Sequence, residues 1–323
     1  MMAKPRILVT RRWPTEVEQA LGEAYEVTLN VADRPLSPDE LADAMRSFDA
    51  LCPTVTDRIG PDLLEGLRPR IGLIANYGAG TDHIALEQAT AIGVRVSNTP
   101  DVLTDATADC ALLLMLMVSR RGAEGECEVR EGRWRGWAPT HLLGQGLTGK
   151  TLGILGFGRI GQAVARRGAA LGMHILYHST TPDTGMTAAT LGATYADTIE
   201  QLADGSDVLS LHCRGGAATH HLVNAALLAR MRPNAILINT ARGSVVDETD
   251  LVEALRNGTI AGAGLDVYER EPCVPPALLA APNAVLLPHL GSATREARVA
   301  MGMRVKANLD AWFSGAPLPD QVA

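Results

Sequence analysis

The sequence predicts an α/β protein made of two doubly wound parallel-sheet domains, the first of them discontinuous. Three observations carry this. Short apolar runs of strand type alternate with amphipathic helical patterns before residue 100 and again after residue 150, which implies parallel strands joined by right-handed helical crossovers. A strand, a glycine turn and a helix begin at Thr151, midway along the 323 residues. A last helical pattern, Thr294 to Ser314, follows the final strand and is expected to return and pack on residues 1–99. The division expected is therefore 1–99 with 290–323 as one domain and 100–289 as the other.

In the first third, the strand-like runs are Arg6 to Thr10, Tyr25 to Leu29, Ala50 to Pro53, Ile71 to Ala75 and Val94 to Val96. Helices are opened by Pro14 and by Ser37-Pro38. Residues 101–121 read as one long helix, with Asp101 or Thr104 as its cap and Arg120-Arg121 at the negative end of its dipole. Its centre, Ala111 to Val118, is apolar on every face, so it is expected to be buried on every face. Burial against a second subunit and burial within one chain both satisfy that pattern. Residues 122–150 are polar and Gly-rich and contain Trp134 and Trp137. The later strands are Thr151 to Leu155, His174 to His178, Asp207 to His212, Ala235 to Asn239, Gly262 to Val267 and Ala284 to Leu287.

Composition narrows the function classes. Hydrophobic residues make up 46%, ample for two cores, but aromatics only 4%, so those cores rest on Ala, Val, Leu and Ile. A net charge of -7 with mixed signs argues against a nucleic-acid partner. Five cysteines, odd in number and with no CxxC spacing, suggest reduced thiols in a cytoplasmic protein; no metal site is expected. Met1 to Arg6 runs straight into a strand, without the apolar stretch of a signal peptide. The longest apolar run, Ala111 to Val118, is far below the roughly 18 residues that span a bilayer. No membrane partner is expected.

The chemistry begins at Gly156, Phe157, Gly158, Arg159, Ile160 and Gly161, between the Thr151 strand and a helix. Gly156 would allow the tight turn, Gly158 the approach of a pyrophosphate, and Gly161 close packing of helix on strand. Phosphates would sit on the unpaired N–H groups at the helix start, so a Rossmann-like, dinucleotide-binding unit is expected. Ligands of such sheets bind beyond the carboxyl ends of the strands. Three ionisable residues follow successive strand ends there: Arg242, Glu271 and His289. A planar guanidinium can grip an α-keto acid by its carboxylate and neighbouring carbonyl. An imidazole can protonate that carbonyl oxygen as hydride arrives, and a carboxylate can support the charged ring.

Several motifs agree at once: Asn98 to Asp105, Leu143-Gly144 with Leu147 to Gly153, Gly156 to Gly161, Asn239 to Asp247, Gly264 to Val267 and Pro288 to Thr294. Over about residues 70–300 the chain resembles the D-isomer-specific 2-hydroxyacid dehydrogenase family, nearest its glyoxylate and hydroxypyruvate reductase branch. The resemblance implies that Arg242, Glu271 and His289 are the catalytic set. It implies that Ala79 and Gly80 bind the substrate carboxylate through backbone N–H groups, with Ser292 in the pocket and Trp137 reaching a neighbouring subunit's pocket. Cofactor contacts are implied at Thr104, along Gly156 to Gly161, at Ser179 and Thr180, at Cys213 and Arg214, at Thr240 and Ala241, and at His289 and Gly291. Asp266 resembles the residue that holds the nicotinamide carboxamide. A homodimer through helix 101–121 is implied as well.

Two departures bear on the cofactor. Ser179 stands where NAD-specific members place an acidic residue on the ribose 2′-hydroxyl, so NADP becomes acceptable. Thr180 replaces the Arg usual in NADP users, while Arg214 stands where Pro is common and could supply the cation. The expected activity is reduction of a small 2-keto acid, such as glyoxylate or hydroxypyruvate, to the D-2-hydroxy acid with NADPH ahead of NADH. Domain closure about Asn98 to Pro100 and Pro288 to Leu290 would exclude water. Phosphite oxidation is an alternative, as is a non-catalytic dinucleotide-sensing role like that of the corepressors of this superfamily. Formate oxidation is disfavoured, because formate-oxidising relatives pair their His with Gln rather than Glu.

Overall fold

In the computed structural model, which describes residues 3–182 and 186–323, the chain forms two parallel sheets. It divides into one unit of residues up to Leu103 with Ala293–Ala323, and a second of Thr104–Ser292.

The first unit holds β1 (Arg6–Val9), β2 (Glu26–Leu29), β3 (Ala50–Cys52), β4 (Leu73–Ala75) and β5 (Arg95–Ser97) in the order β2-β1-β3-β4-β5. Every pairing is parallel. β3 and β4 are buried at each position, as befits strands covered on both faces. Helix Pro38–Ser47 begins at a capping box in which Ser37 and Glu40 exchange side-chain and backbone hydrogen bonds. Helix Arg295–Ser314, capped by Thr294, lies against helix Thr15–Ala24. Arg295 pairs there with Glu16 at 2.8 Å, and the Tyr25 hydroxyl donates to Asp310 at 2.5 Å. Beyond the helix, the tail hydrogen-bonds along β5, Val322 N to Val96 O at 2.8 Å and Val96 N to Ala323 O at 2.9 Å. Asp320 anchors this tail by accepting from Arg304 and Asn308.

The second unit holds β6 (Thr151–Leu155), β7 (His174–His178), β8 (Thr194–Tyr195), β9 (Val208–Leu211), β10 (Ile236–Asn239), β11 (Gly262–Leu265) and β12 (Ala284–Leu286). Their order is β12-β11-β10-β9-β6-β7-β8, all parallel. From β6 the chain builds outward first through β7 and β8, then through β9 to β12 on the other side. The order therefore reverses between β6 and β9, where ligands of doubly wound sheets bind. Helix Thr104–Ser119 packs on helix Arg159–Ala170, and Arg167 ties the two through Asp109 at 2.7 Å and Asp105 at 3.0 Å.

Four points of the sequence reading need correction. The helix read over 101–121 starts at Thr104 and stops at Ser119, because Arg121 adopts left-handed backbone at φ 52° and forks onto Glu124. A second helix, Gly122–Arg130, follows where only a polar Gly-rich segment was read. It buries no residue, so it left no apolar period to find. The apolar helix itself is not covered on every face, since Leu113 is 47% and Leu116 37% exposed in the single chain. β8 was missed because two residues make no recognisable run.

Candidate active site

The glycine turn follows β6 at the order reversal. Gly156 stands at φ +91°, and a Cβ there would lie 2.6 Å from Cys213 N and 2.7 Å from the carbonyl of His212, beyond the end of β9. A Cβ on Gly161 would lie 2.1 Å from Gly156 O, so only glycine lets the helix start press on the turn. Gly158 differs. It is the N-cap of helix Arg159–Ala170 with no side chain capping the helix, and its missing Cβ faces open space. Two glycines are thus required by the fold, whereas the third keeps room in front of helix N–H groups. A dinucleotide pyrophosphate fits such a cradle.

Three loops at neighbouring strand ends carry the ionisable residues. After β10, the Asn239 side chain accepts from Ala241 N at 3.0 Å and donates to Arg242 O at 2.8 Å, fixing the turn from which Arg242 projects. A Cβ at Gly243 would stand 1.8 Å from the Tyr268 carbonyl carbon, so this turn lies directly on the backbone leading to Glu271. Glu271 accepts from Tyr268 N at 3.1 Å through Oε1 and meets His289 Nδ1 at 2.8 Å through Oε2. Burial resists ionisation of the Glu271 carboxyl, but the hydrogen bond and charge of His289, the Tyr268 N–H and the Arg242 guanidinium together hold it below the usual range.

His289 sits at φ +56°, an uncommon conformation for a residue with a side chain. Asp266, just past β11, holds it there. Its backbone carbonyl accepts from His289 N at 2.9 Å, and its two carboxylate oxygens accept from Leu290 N at 2.6 Å and Gly291 N at 2.7 Å. Burial pushes the Asp266 carboxyl upward despite these two N–H donors. The sequence reading gave Asp266 a cofactor contact and missed this clamp, whose donors are backbone groups that no residue type announces. The role of Asn239 was missed too, although an Asn followed by a sharp turn is a recognisable signal.

The remaining candidates fall in both units. In the first, Asn76 draws in the carbonyls of Gly78 and Gly80, and Asn98 that of Ala79. The N–H groups of Ala79 and Gly80 make no hydrogen bond among the described residues, which leaves two adjacent donors. In the second, Thr104 opens its helix, and Thr240 and Ala241 are buried in the Arg242 turn. Ser292 follows the Asp266 clamp, and Trp137 is 84% exposed. Ser179 donates to Thr181 O at 2.5 Å, and Thr180 and Arg214 are exposed. Beside them His212 is pushed down to about 3 by burial, a neutral ring bonded to Ser210 at 2.8 Å.

Comparison with known proteins gives the family of the chain. A family model described as the NAD-binding domain of D-isomer specific 2-hydroxyacid dehydrogenases matches residues 112–291. A glyoxylate reductase of Thermococcus litoralis is 45% identical, covering 99% of this chain and 97% of its own. The solved NADPH-dependent glyoxylate/hydroxypyruvate reductase of Sinorhizobium meliloti, in complex with NADP and malonate, is 41% identical with a TM-score of 0.88, covering 99% and 97% of the two chains. A glyoxylate reductase from Paecilomyes thermophila is 34% identical with a TM-score of 0.87 over 100% and 99%. With a family model over more than half its length and relatives along nearly all of it, the chain belongs to the D-isomer specific 2-hydroxyacid dehydrogenase family.

Proposed function

We propose that this protein is an NAD(P)H-dependent reductase of a small 2-keto acid of the glyoxylate or hydroxypyruvate type, yielding the D-2-hydroxy acid. The observation that carries the reading is the Glu271 carboxylate 2.8 Å from His289 Nδ1, with Arg242 near enough to help keep it ionised. With Nδ1–H committed to Glu271, Nε2 is the nitrogen that delivers a proton to the substrate's carbonyl oxygen. Glu271 balances the positive charge of the ring until that proton leaves. The Arg242 fork holds the carboxylate and adjacent carbonyl of the keto acid. In the first unit, the N–H groups of Ala79 and Gly80 are donors of the kind a carboxylate takes. Gly156 to Gly161 would hold the dinucleotide, which when bound would supply the hydride. The second unit is thus the dinucleotide-binding part and the first the substrate-binding part.

NADPH is favoured over NADH, because Ser179 presents no negative charge to a 2′-phosphate and Arg214 is exposed beyond β9. If Arg214→Ala leaves the ratio of NADPH to NADH efficiency unchanged, Arg214 has no part in that preference. The exposed apolar side chains of helix Thr104–Ser119, with Val129, Trp134 and Leu143 near it in sequence, support a homodimer in which Trp137 reaches the partner. Five free cysteines, two of them buried, support a reducing, cytoplasmic setting. No helix among the described residues is long and apolar enough to cross a membrane. The deciding assay sets glyoxylate, hydroxypyruvate, pyruvate, phenylpyruvate and phosphite against both cofactors. Turnover of glyoxylate or hydroxypyruvate, lost in His289→Ala while NADPH still binds, is expected. Dinucleotide binding without turnover of any keto acid would overturn the reading.

A further inference from the structure

We infer that His220, His221 and Glu269, in the second unit, form a binding site for a divalent transition-metal ion of the zinc class. Neighbouring side chains on an extended backbone point to opposite sides. His220 is extended, at φ -63° and ψ 125°, but His221 turns left-handed at φ 49°. The two imidazoles consequently stack on one side, with centroids 3.9 Å apart and planes 28° from parallel. Backbone strain in a side-chain-bearing residue points to a local task. Here it is sustained by hydrogen bonds from His221 N to Ser244 O at 2.8 Å and from Val223 N to Val245 O at 2.9 Å.

The rest of the surroundings match a metal ligand set. Asp247 Oδ1 accepts from Thr249 N and Asp250 N at the start of helix Glu248–Asn257, which fixes that carboxylate. Its Oδ2 lies 3.2 Å from His221 Nδ1. A histidine whose Nδ1–H is taken by a carboxylate offers a basic Nε2, the usual arrangement around a ligating imidazole. That Nε2 points at Glu269 Oε1, 3.1 Å away. One ligand atom each from His220, His221 and Glu269 lie within 4.8 Å of one another. Two imidazoles and one carboxylate are a zinc donor set, and His220, the exposed member of the three, is the one that would turn to close on the ion. A proton on His221 Nε2 is the rival occupant, so metal binding displaces it and weakens at low pH. An ion here would also pin Glu269, two residues before Glu271.

The test uses metal-free, full-length protein, a chromophoric chelator in competition for Zn2+, and X-ray absorption at the zinc edge. One ion per chain is expected, with two imidazoles and no sulfur in its first shell. Affinity should fall at least about a hundredfold in His220→Ala and in Glu269→Gln. Asp247→Asn, which still caps the helix, should lose about ten- to a hundredfold. Circular dichroism checks that each variant is folded. Zinc bound no more tightly by the wild type than by the His220→Ala, Glu269→Gln double variant would overturn the site, and so would a sulfur-containing shell on wild-type protein.

Discussion

Asp266→Asn tests whether the clamp below His289 sets the catalytic geometry. The wild-type carboxylate is 1% exposed and accepts from Leu290 N at 2.6 Å and Gly291 N at 2.7 Å. Asn keeps the shape but offers one acceptor, so an amide NH2 must face one of these N–H groups. Losing a hydrogen bond to a charged group costs about 1.5–3 kcal/mol. Burial already raises the Asp266 carboxyl, so removing its charge returns part of that cost and about 2 kcal/mol is the working figure. In a unit of this size it lowers Tm by roughly 4–8 °C. If it is spent on letting His289 leave φ +56°, about 2 kcal/mol corresponds to a kcat roughly thirtyfold lower. Steady-state kinetics with glyoxylate and NADPH, beside a fluorescence titration of NADPH, separate the outcomes. A fall in kcat at near-constant NADPH affinity supports the clamp, whereas a weaker NADPH complex with intact kcat supports only a cofactor contact. A kcat within about threefold of wild type, at matched Tm loss, would refute the reasoning.

Gly158→Ala should leave stability within about 1 kcal/mol, since its Cβ meets nothing within 4 Å, yet weaken NADPH binding. Gly161→Ala should weaken NADPH and also lower stability by about 1–3 kcal/mol, because its Cβ would stand 2.1 Å from Gly156 O; thermal melts and titrations distinguish the pair. Glu271 is held below the ordinary 4.5 of a glutamate, so its ionised form stabilises the fold above that value and the contribution is lost as pH falls through the depressed one. The Tm gap between wild type and Glu271→Gln should therefore be largest near neutrality and shrink below pH 4.5. Leu113→Glu with Leu116→Glu should convert a particle of twice 34.2 kDa into one of 34.2 kDa by light scattering; an unchanged mass would remove this helix from the interface.

Strands were legible where they are covered on both faces. β9, β10 and β11 are buried at every position, so each left a short run of apolar and small residues in which Ser210 and Asn239 are the polar exceptions. Helix Gly122–Arg130 was not legible, since with no buried residue it has no apolar stripe. Nor was the break at Arg121, where a dipole-compensating pair of arginines reads the same whether the backbone continues or turns left-handed. At the site, Arg242, Glu271 and His289 could be read as ionisable residues at successive strand ends, because topology alone places such ends side by side. What held them in place could not. The Asn239 and Asp266 side chains act on backbone C=O and N–H groups, and Tyr268 acts through its own backbone N–H; every residue but proline offers such groups alike.

The tail along β5 has a consequence for synthesis. Residues 104–292 leave the ribosome as a contiguous stretch, so their seven-stranded sheet can assemble while translation continues. The five-stranded sheet emerges earlier, yet its edge at Val96 gains partners only when Val322 and Ala323 arrive. The unit whose strands are made first thus gains its last edge partners after the other unit has emerged, and until then its open strand edge is the surface on which a nascent-chain chaperone would act.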